Sequence, residues 1–240
     1  MQTNVIIGFC LWLFAAYGQA ASVTIIIDDL GNNPKLGIKA INLPGNLVIG
    51  ILPGTPYATM LAEMAHSRGH EIMLHVPMQS EHDKALGPDA LQLQMSEFEF
   101  KQILEHAIKE IPHARGMNNH MGSLLTTHQL PMQWIMEVLK PHKLYFVDSR
   151  TTVETVAQDL AERNGIPNLR RDVFLDNEKE FSAIEKQFNQ LLKLAKKRGF
   201  ATGIAHPYPE TLAALQILLP RLEQNGIKMV TLSSKLLGSK

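Results

Sequence analysis

Six residues that can do chemistry stand where short apolar runs stop. Asp28 and Asp29 follow Thr24-Ile25-Ile26-Ile27, His75 closes Glu71-Ile72-Met73-Leu74, and His206 closes Gly203-Ile204-Ala205. His120 lies in the amide-rich turn Asn118-Asn119-His120-Met121-Gly122-Ser123, and Asp148 ends the run from Leu144 to Val147. One aspartate and two histidines with a fourth position left open make a catalytic zinc set, since imidazole and carboxylate both suit divalent metals. Such an ion lowers the pKa of a bound water and polarises a carbonyl. A second carboxylate can then take a proton from the water, and a further histidine can protonate a leaving group. Asp28 and Asp29 can divide these jobs, one as ligand and one as base. Each residue alone also has a structural alternative: an Asp-Asp pair caps helices, and a histidine closing an apolar strand serves as a core or loop residue. Covalent routes find less support. No serine lies in a G-x-S-x-G elbow, and neither a Gly-rich phosphate loop nor a dinucleotide fingerprint occurs.

Residues this far apart need elements that bring them together. Runs rich in β-branched residues at Val23–Ile27, Leu47–Leu52, Glu71–Leu74, Leu144–Val147 and Phe200–Ala205 predict strands, with shorter ones at Arg115–Met117 and Asn168–Arg170 and a last one at Ile227–Leu232. Helices lie between them. Asn33-Pro34 marks an N-cap with proline at the first helical position, and Ser96-Glu97-Phe98-Glu99 marks a capping box. Thr151 and Glu154 suggest a second capping box, for a helix stopped by Asn164-Gly165, and a longer helix runs from about Glu178 to Arg198. Strands separated by such helices form βαβ units and a parallel sheet. Seven or eight units suit a single-domain α/β barrel, whose strand C-termini converge on one face. The pattern of alternation alone does not prove closure.

The 240-residue chain is 45% apolar and 19% charged, with 23 basic and 23 acidic side chains. It is too apolar for a disordered chain, and its zero formal charge argues against nucleic acid as a partner. The uncharged run from Val5 to Tyr17 is short for a bilayer span and fits the core of a secretory signal, with Gly18-Gln19-Ala20 as a cleavage box. Residues 1–20 thus read as a signal peptide and 21–240 as the folded domain, exported to the periplasm. An uncleaved N-terminal anchor, the one route to a membrane, is the alternative, because residues 1–4 carry no Lys or Arg. Cys10 is the sole cysteine, so neither a disulfide framework nor a thiolate zinc site is available. Aromatics are 6% and outline no stacking platform for a long polysaccharide.

Thr24-Ile25-Ile26-Ile27-Asp28-Asp29-Leu30-Gly31 resembles the first motif of polysaccharide deacetylases, and Gly69-His70-Glu71-Ile72-Met73-Leu74-His75 resembles their second. With LHVPM, NNHMGS, FVDSR, VFLDN and GIAHP following in order, residues 22–235 resemble the divergent polysaccharide deacetylase family. The resemblance implies a distorted (β/α) barrel, export, and metal-dependent removal of acetyl groups from an N-acetylated carbohydrate of the envelope. Under it Asp28 is the catalytic base, Asp29 and His75 are metal ligands, and His206 is the general acid. Asp148 and Arg150 fall where an acid and an arginine tune that histidine, with Asn119 as a further supporting residue. The second histidine of the metal motif is replaced by Gln79, and His120 is the substitute expected from this sequence. A barrel that kept its face only to bind glycan or a protein partner is the non-catalytic alternative.

Overall fold

The structure is a computed structural model that describes residues 20–82 and 85–238. The N-terminal run read as signal or anchor, with Cys10, lies outside the described residues. Nine strands are present among them: β1 (Ser22–Leu30), β2 (Val48–Ile51), β3 (Glu71–Met78), β4 (Ala114–Met121), β5 (Tyr145–Asp148), β6 (Asn168–Arg170), β7 (Val173–Phe174), β8 (Phe200–Ala205) and β9 (Lys228–Met229). The helices are α1 (Pro34–Ile41), α2 (Ala58–Ser67), α3 (Glu97–Glu110), α4 (Gln129–His142), α5 (Ala157–Arg163), α6 (Phe181–Arg198), α7 (Pro209–Leu218), α8 (Arg221–Gln224) and α9 (Leu232–Leu237). All strands run parallel in the order β6-β5-β4-β3-β2-β1-β8-β7, with β9 beside the start of β1. This is the expected α/β architecture, a curled sheet wrapped by helices and a distorted barrel.

Closure is made by the chain rather than by a ladder. Residues 171 and 172 join β6 to β7, and there the Arg171 N–H donates to the Asp148 carbonyl (2.9 Å) while the Asp172 N–H donates to the Thr202 carbonyl (2.9 Å). Two residues thus bridge the end of β5 and the middle of β8.

Alternation along the strands sorts side chains into two cores. In β1, Ile25 and Ile27 pack outward with the helices, whereas Ile26 packs inward with Val48, Met73, Tyr145, Val147 and Ile204. The inner core is closed below by Leu232 of α9. Beside it the Tyr145 hydroxyl donates to Glu71 (2.7 Å), whose carboxylate also accepts the Ser233 N–H (3.1 Å). Gly116 faces the Tyr145 ring so closely that a Cβ would overlap it.

The Asn33 cap, the proline after it and the Ser96–Glu99 capping box form as expected. Three elements differ. The expected strand at Ile227–Leu232 is only two residues long, because Thr231 caps α9 and its Oγ1 accepts the Ser234 N–H. Thr151 and Glu154 make no capping box: Thr151 Oγ1 donates to the Met121 carbonyl (2.9 Å), Glu154 accepts from Thr152 (2.7 Å), and α5 begins only at Ala157. β7 is a strand of two residues that no periodicity reveals.

Candidate metal centre

Asp28 continues the inward face of β1, so alternation should turn Asp29 outward. The β1–β2 register shifts between Ile27 and Leu30, and Asp29 takes a left-handed backbone with φ 61°. This bulge turns both carboxylates towards one imidazole, where the sequence suggested one inward and one sideways. His75 Nδ1 lies 3.5 Å from Asp28 Oδ1, and His75 Nε2 lies 3.1 Å from Asp29 Oδ1. On the neighbouring strand Asn118 pairs with His75 and His120 with Pro77, which puts His75, Asn118 and His120 on one face. Met121 and Arg150, at the ends of β4 and β5, also have positive φ (55° and 48°). Strain of this kind costs about 1–3 kcal/mol per residue and gathers at functional sites.

Asn118 sets the tautomer of His75. Its Nδ2 donates to Asp28 Oδ2 (2.8 Å), so its Oδ1 must accept, and His75 Nδ1–H donates to it (2.7 Å). His75 Nε2 is then the free nitrogen, 3.0 Å from His120 Nδ1, which is itself 2.8 Å from Asp29 Oδ1. One donor atom from each of Asp29, His75 and His120 lies within 4.8 Å of the others, a group that could hold a metal ion. Asp29 Oδ1 is buried and makes no well-aligned hydrogen bond despite these short separations. Three potential ligand atoms face common space and one carboxylate oxygen among them has no aligned hydrogen, an arrangement that fits a cation.

Electrostatics divide the two aspartates. Burial pushes the Asp28 carboxyl above its ordinary value, against the charges of His75 and His206. Burial acts the same way on Asp29, but His120 and His75 outweigh it and hold that carboxyl well below the carboxylate range. Burial lowers His75, yet Asp28 and Asp29 reverse this and push it up to about 9.

A cavity of about 170 Å³ joins the group to the rest of the strand ends. Asp28, His75 and His120 line it together with Ser149, Phe174 and His206. His206 is anchored by a residue not expected in that role. Its ring lies with Nδ1 3.0 Å from Asp176 Oδ1, its backbone N–H donates to Asp176 Oδ2 (2.7 Å), and Thr211 Oγ1 donates to the same oxygen (3.0 Å). Burial lowers His206, but Asp176, Asp29 and Asp28 outweigh it and leave the imidazole above its usual value. Asp176 therefore holds the place expected of Asp148. It lies in the VFLDN run, a short motif whose through-space partner no spacing rule supplies. The supporting residues hold loops. Asp148 accepts the Arg150 N–H (2.8 Å) and the Thr155 hydroxyl (3.0 Å), the Arg150 carbonyl accepts from Arg171 (2.7 Å), and Asn119 ties Met121 to Ser149. Gln79, at the position of the missing histidine, points its Oε1 at the Leu93 N–H (2.8 Å) and secures the β3–α3 loop.

An α/β barrel with an acid–imidazole cluster at the C-terminal ends of its strands defines the class. The chain belongs to the divergent polysaccharide deacetylase family, whose profile matches residues 25–236. It is 34% identical over 235 residues to the uncharacterized protein YibQ of Escherichia coli K12, covering 98% of this chain and 73% of that one. Among solved structures it resembles the uncharacterized protein ATU2773 of Agrobacterium tumefaciens C58, with a TM-score of 0.87 at 23% identity over 92% of this chain and 91% of that one. The catalytic domain of a peptidoglycan N-acetylglucosamine deacetylase from Eubacterium rectale follows at TM-score 0.51 and 15% identity, covering 88% and 89%. A CE4 family pseudoenzyme from Bacillus anthracis stands at TM-score 0.52 and 13% identity, covering 91% and 66%. Likeness at this level shows the fold alone.

Proposed function

We propose that the protein is an exported, zinc-dependent hydrolase that removes acetyl groups from an N-acetylated envelope glycan. One observation carries this reading: Asp28 and His206 line the same small cavity as the Asp29–His75–His120 group. A binding module would not need a base and an acid side by side, at the ends of the paired strands β1 and β8, in one cavity. Family membership favours a carbohydrate substrate, and the apolar Val5–Tyr17 run favours export to the periplasm. Asp29, His75 and His120 would hold a divalent ion, which would supply a Lewis acid and activate a water. Asp28, raised by burial, accepts the proton of the attacking water. His206 has Nδ1 committed to Asp176, so Nε2 is left to protonate the departing amine.

Gln79 favours the rival reading, a non-catalytic glycan-binding protein, because it withdraws one ligand of the family's usual set. Elemental analysis decides first. About one zinc per chain in the wild type, lost in His120→Ala, is expected, together with acetate release from acetylated glycan that disappears in Asp28→Asn. Protein that takes up no divalent ion even after reconstitution, with acetate release untouched by Asp29→Ala, would overturn the proposal.

A further inference from the structure

Ser149 is the residue of the cavity wall that nothing else explains. It is 2% exposed, and its backbone is fully used: the N–H donates to Asn119 Oδ1 (2.9 Å) and the carbonyl accepts from Arg171 Nε (2.7 Å). Its hydroxyl, by contrast, has no hydrogen-bond partner among the described residues. Thr151, the other hydroxyl of the cavity, is already committed to the Met121 carbonyl. A buried hydroxyl without a partner forfeits about 1–3 kcal/mol, so a sequence that keeps one needs a reason. Here the residue before it is the strand-end Asp148, the residue after it has a left-handed backbone, and its own N–H and carbonyl are clamped by two different elements. A backbone this constrained holds one free O–H in one place, just past the end of β5, the strand next to that of His120, in the lining of the same cavity.

We infer that Ser149 is a catalytic residue that donates a hydrogen bond from Oγ to the acyl oxygen of the substrate, and that the cavity takes a short acyl group end-on. This rests on the deacetylase reading. At ~30 Å³ for each water, 170 Å³ is room for about five waters. That is ample room for an acetyl group. When water adds to the carbonyl carbon, the C=O π pair moves onto the acyl oxygen, and the Ser149 O–H stabilises the charge without giving up its proton. As the C–N bond breaks, that pair returns to the carbonyl, the nitrogen takes its proton from His206, and the water's proton resides on Asp28. Donors placed where charge develops are worth about 10²–10³ in kcat.

The test uses the zinc-loaded protein, with acetate as a ligand and 4-nitrophenyl acetate as a substrate. Ser149→Ala is expected to keep its zinc and to melt no lower than the wild type, because the lost hydroxyl has no protein partner. It should bind acetate about tenfold more weakly by calorimetry and lose about 100-fold in kcat with little change in KM. Ser149→Cys, similar in shape but a weak donor, should fall on the same side. Wild-type affinity and turnover in both variants would overturn the inference while leaving the hydrolase reading intact. Acetate binding that depends on Ser149, in a wild type that cleaves nothing, would sink the hydrolase reading and keep the acyl-oxygen contact. Losses that follow a fallen Tm in both variants would make Ser149 structural and overturn the inference. Zinc-loaded wild type that neither binds acetate nor turns over would overturn both.

Discussion

Asn118 does two things with one amide: it donates to Asp28 and accepts from His75. Replacing it with alanine frees His75 to turn and to adopt the other tautomer. Loss of such a supporting partner typically costs 10–100-fold in metal affinity, and the same range is expected for Asn118→Ala by zinc titration against a chelator. Asp176 acts on His206 in the same indirect way. A general acid works only while protonated, so activity falls as pH rises through its pKa. Burial lowers the His206 pKa, and Asp176 leads the groups that raise it, so Asp176→Asn should move the alkaline limb of the pH–rate profile to lower pH. The same shift gives a stability sign. His206 is raised in the folded state, so its contribution is full below the ordinary imidazole value and is lost as pH rises through the raised one. The sequence revealed Asp28, Asp29, His75, His120 and His206 because each follows a run of strand-forming residues, and the C-terminal halves of the strands of a parallel barrel converge. Asn118 and Asp176 stayed hidden because their importance is a side-chain contact across 43 and 30 residues, which periodicity does not encode.

At the scale of elements, the decisive feature is the irregularity at the end of β1. A regular strand would send Asp29 into the helical layer, and the bulge returns it to His75. Gly50 on β2 makes room for this, since a Cβ there would overlap Asp28 Oδ1 and stand 3.2 Å from the Asp28 Cα. Gly50→Ala is expected to cost about 1–3 kcal/mol in urea unfolding, as overpacking does, and to displace the Asp28 carboxylate and weaken zinc binding through the bulge it shares with Asp29, while the circular dichroism of the barrel persists. Retained zinc affinity would show that Asp28 has slack to move. The long runs of β1, β3 and β8 were legible from β-branched and apolar residues. β4 was underestimated because its second half, Asn118-Asn119-His120, is polar where it builds the site, and β7 was missed because two residues carry no pattern. The C-terminal segment reads as a strand by composition but folds as α9, since its leucine fills the barrel floor and its threonine caps a helix.

The whole molecule separates stability from chemistry by placing them at opposite ends. The floor is sealed by Glu71, Tyr145 and Ser233, and the mouth holds the acids and imidazoles. Glu71→Ala strands the buried Tyr145 hydroxyl, an expected cost of about 1–3 kcal/mol, and releases the start of α9. Hydrogen exchange should show lost protection in residues 232–237, while zinc content at 25 °C stays at the wild-type level. A mutant that unfolds without change at α9, or that loses zinc while folded, would contradict this division. The direction of β1 then settles how the molecule presents itself. Ser22 enters the sheet beside Gly199 and Lys228, and Asp28 reaches the other rim six residues on, about 20 Å away. The described chain therefore starts at the floor, at the end away from the mouth. On the proposed reading, a copy held from residue 20 would meet glycan through the rim far from its point of attachment.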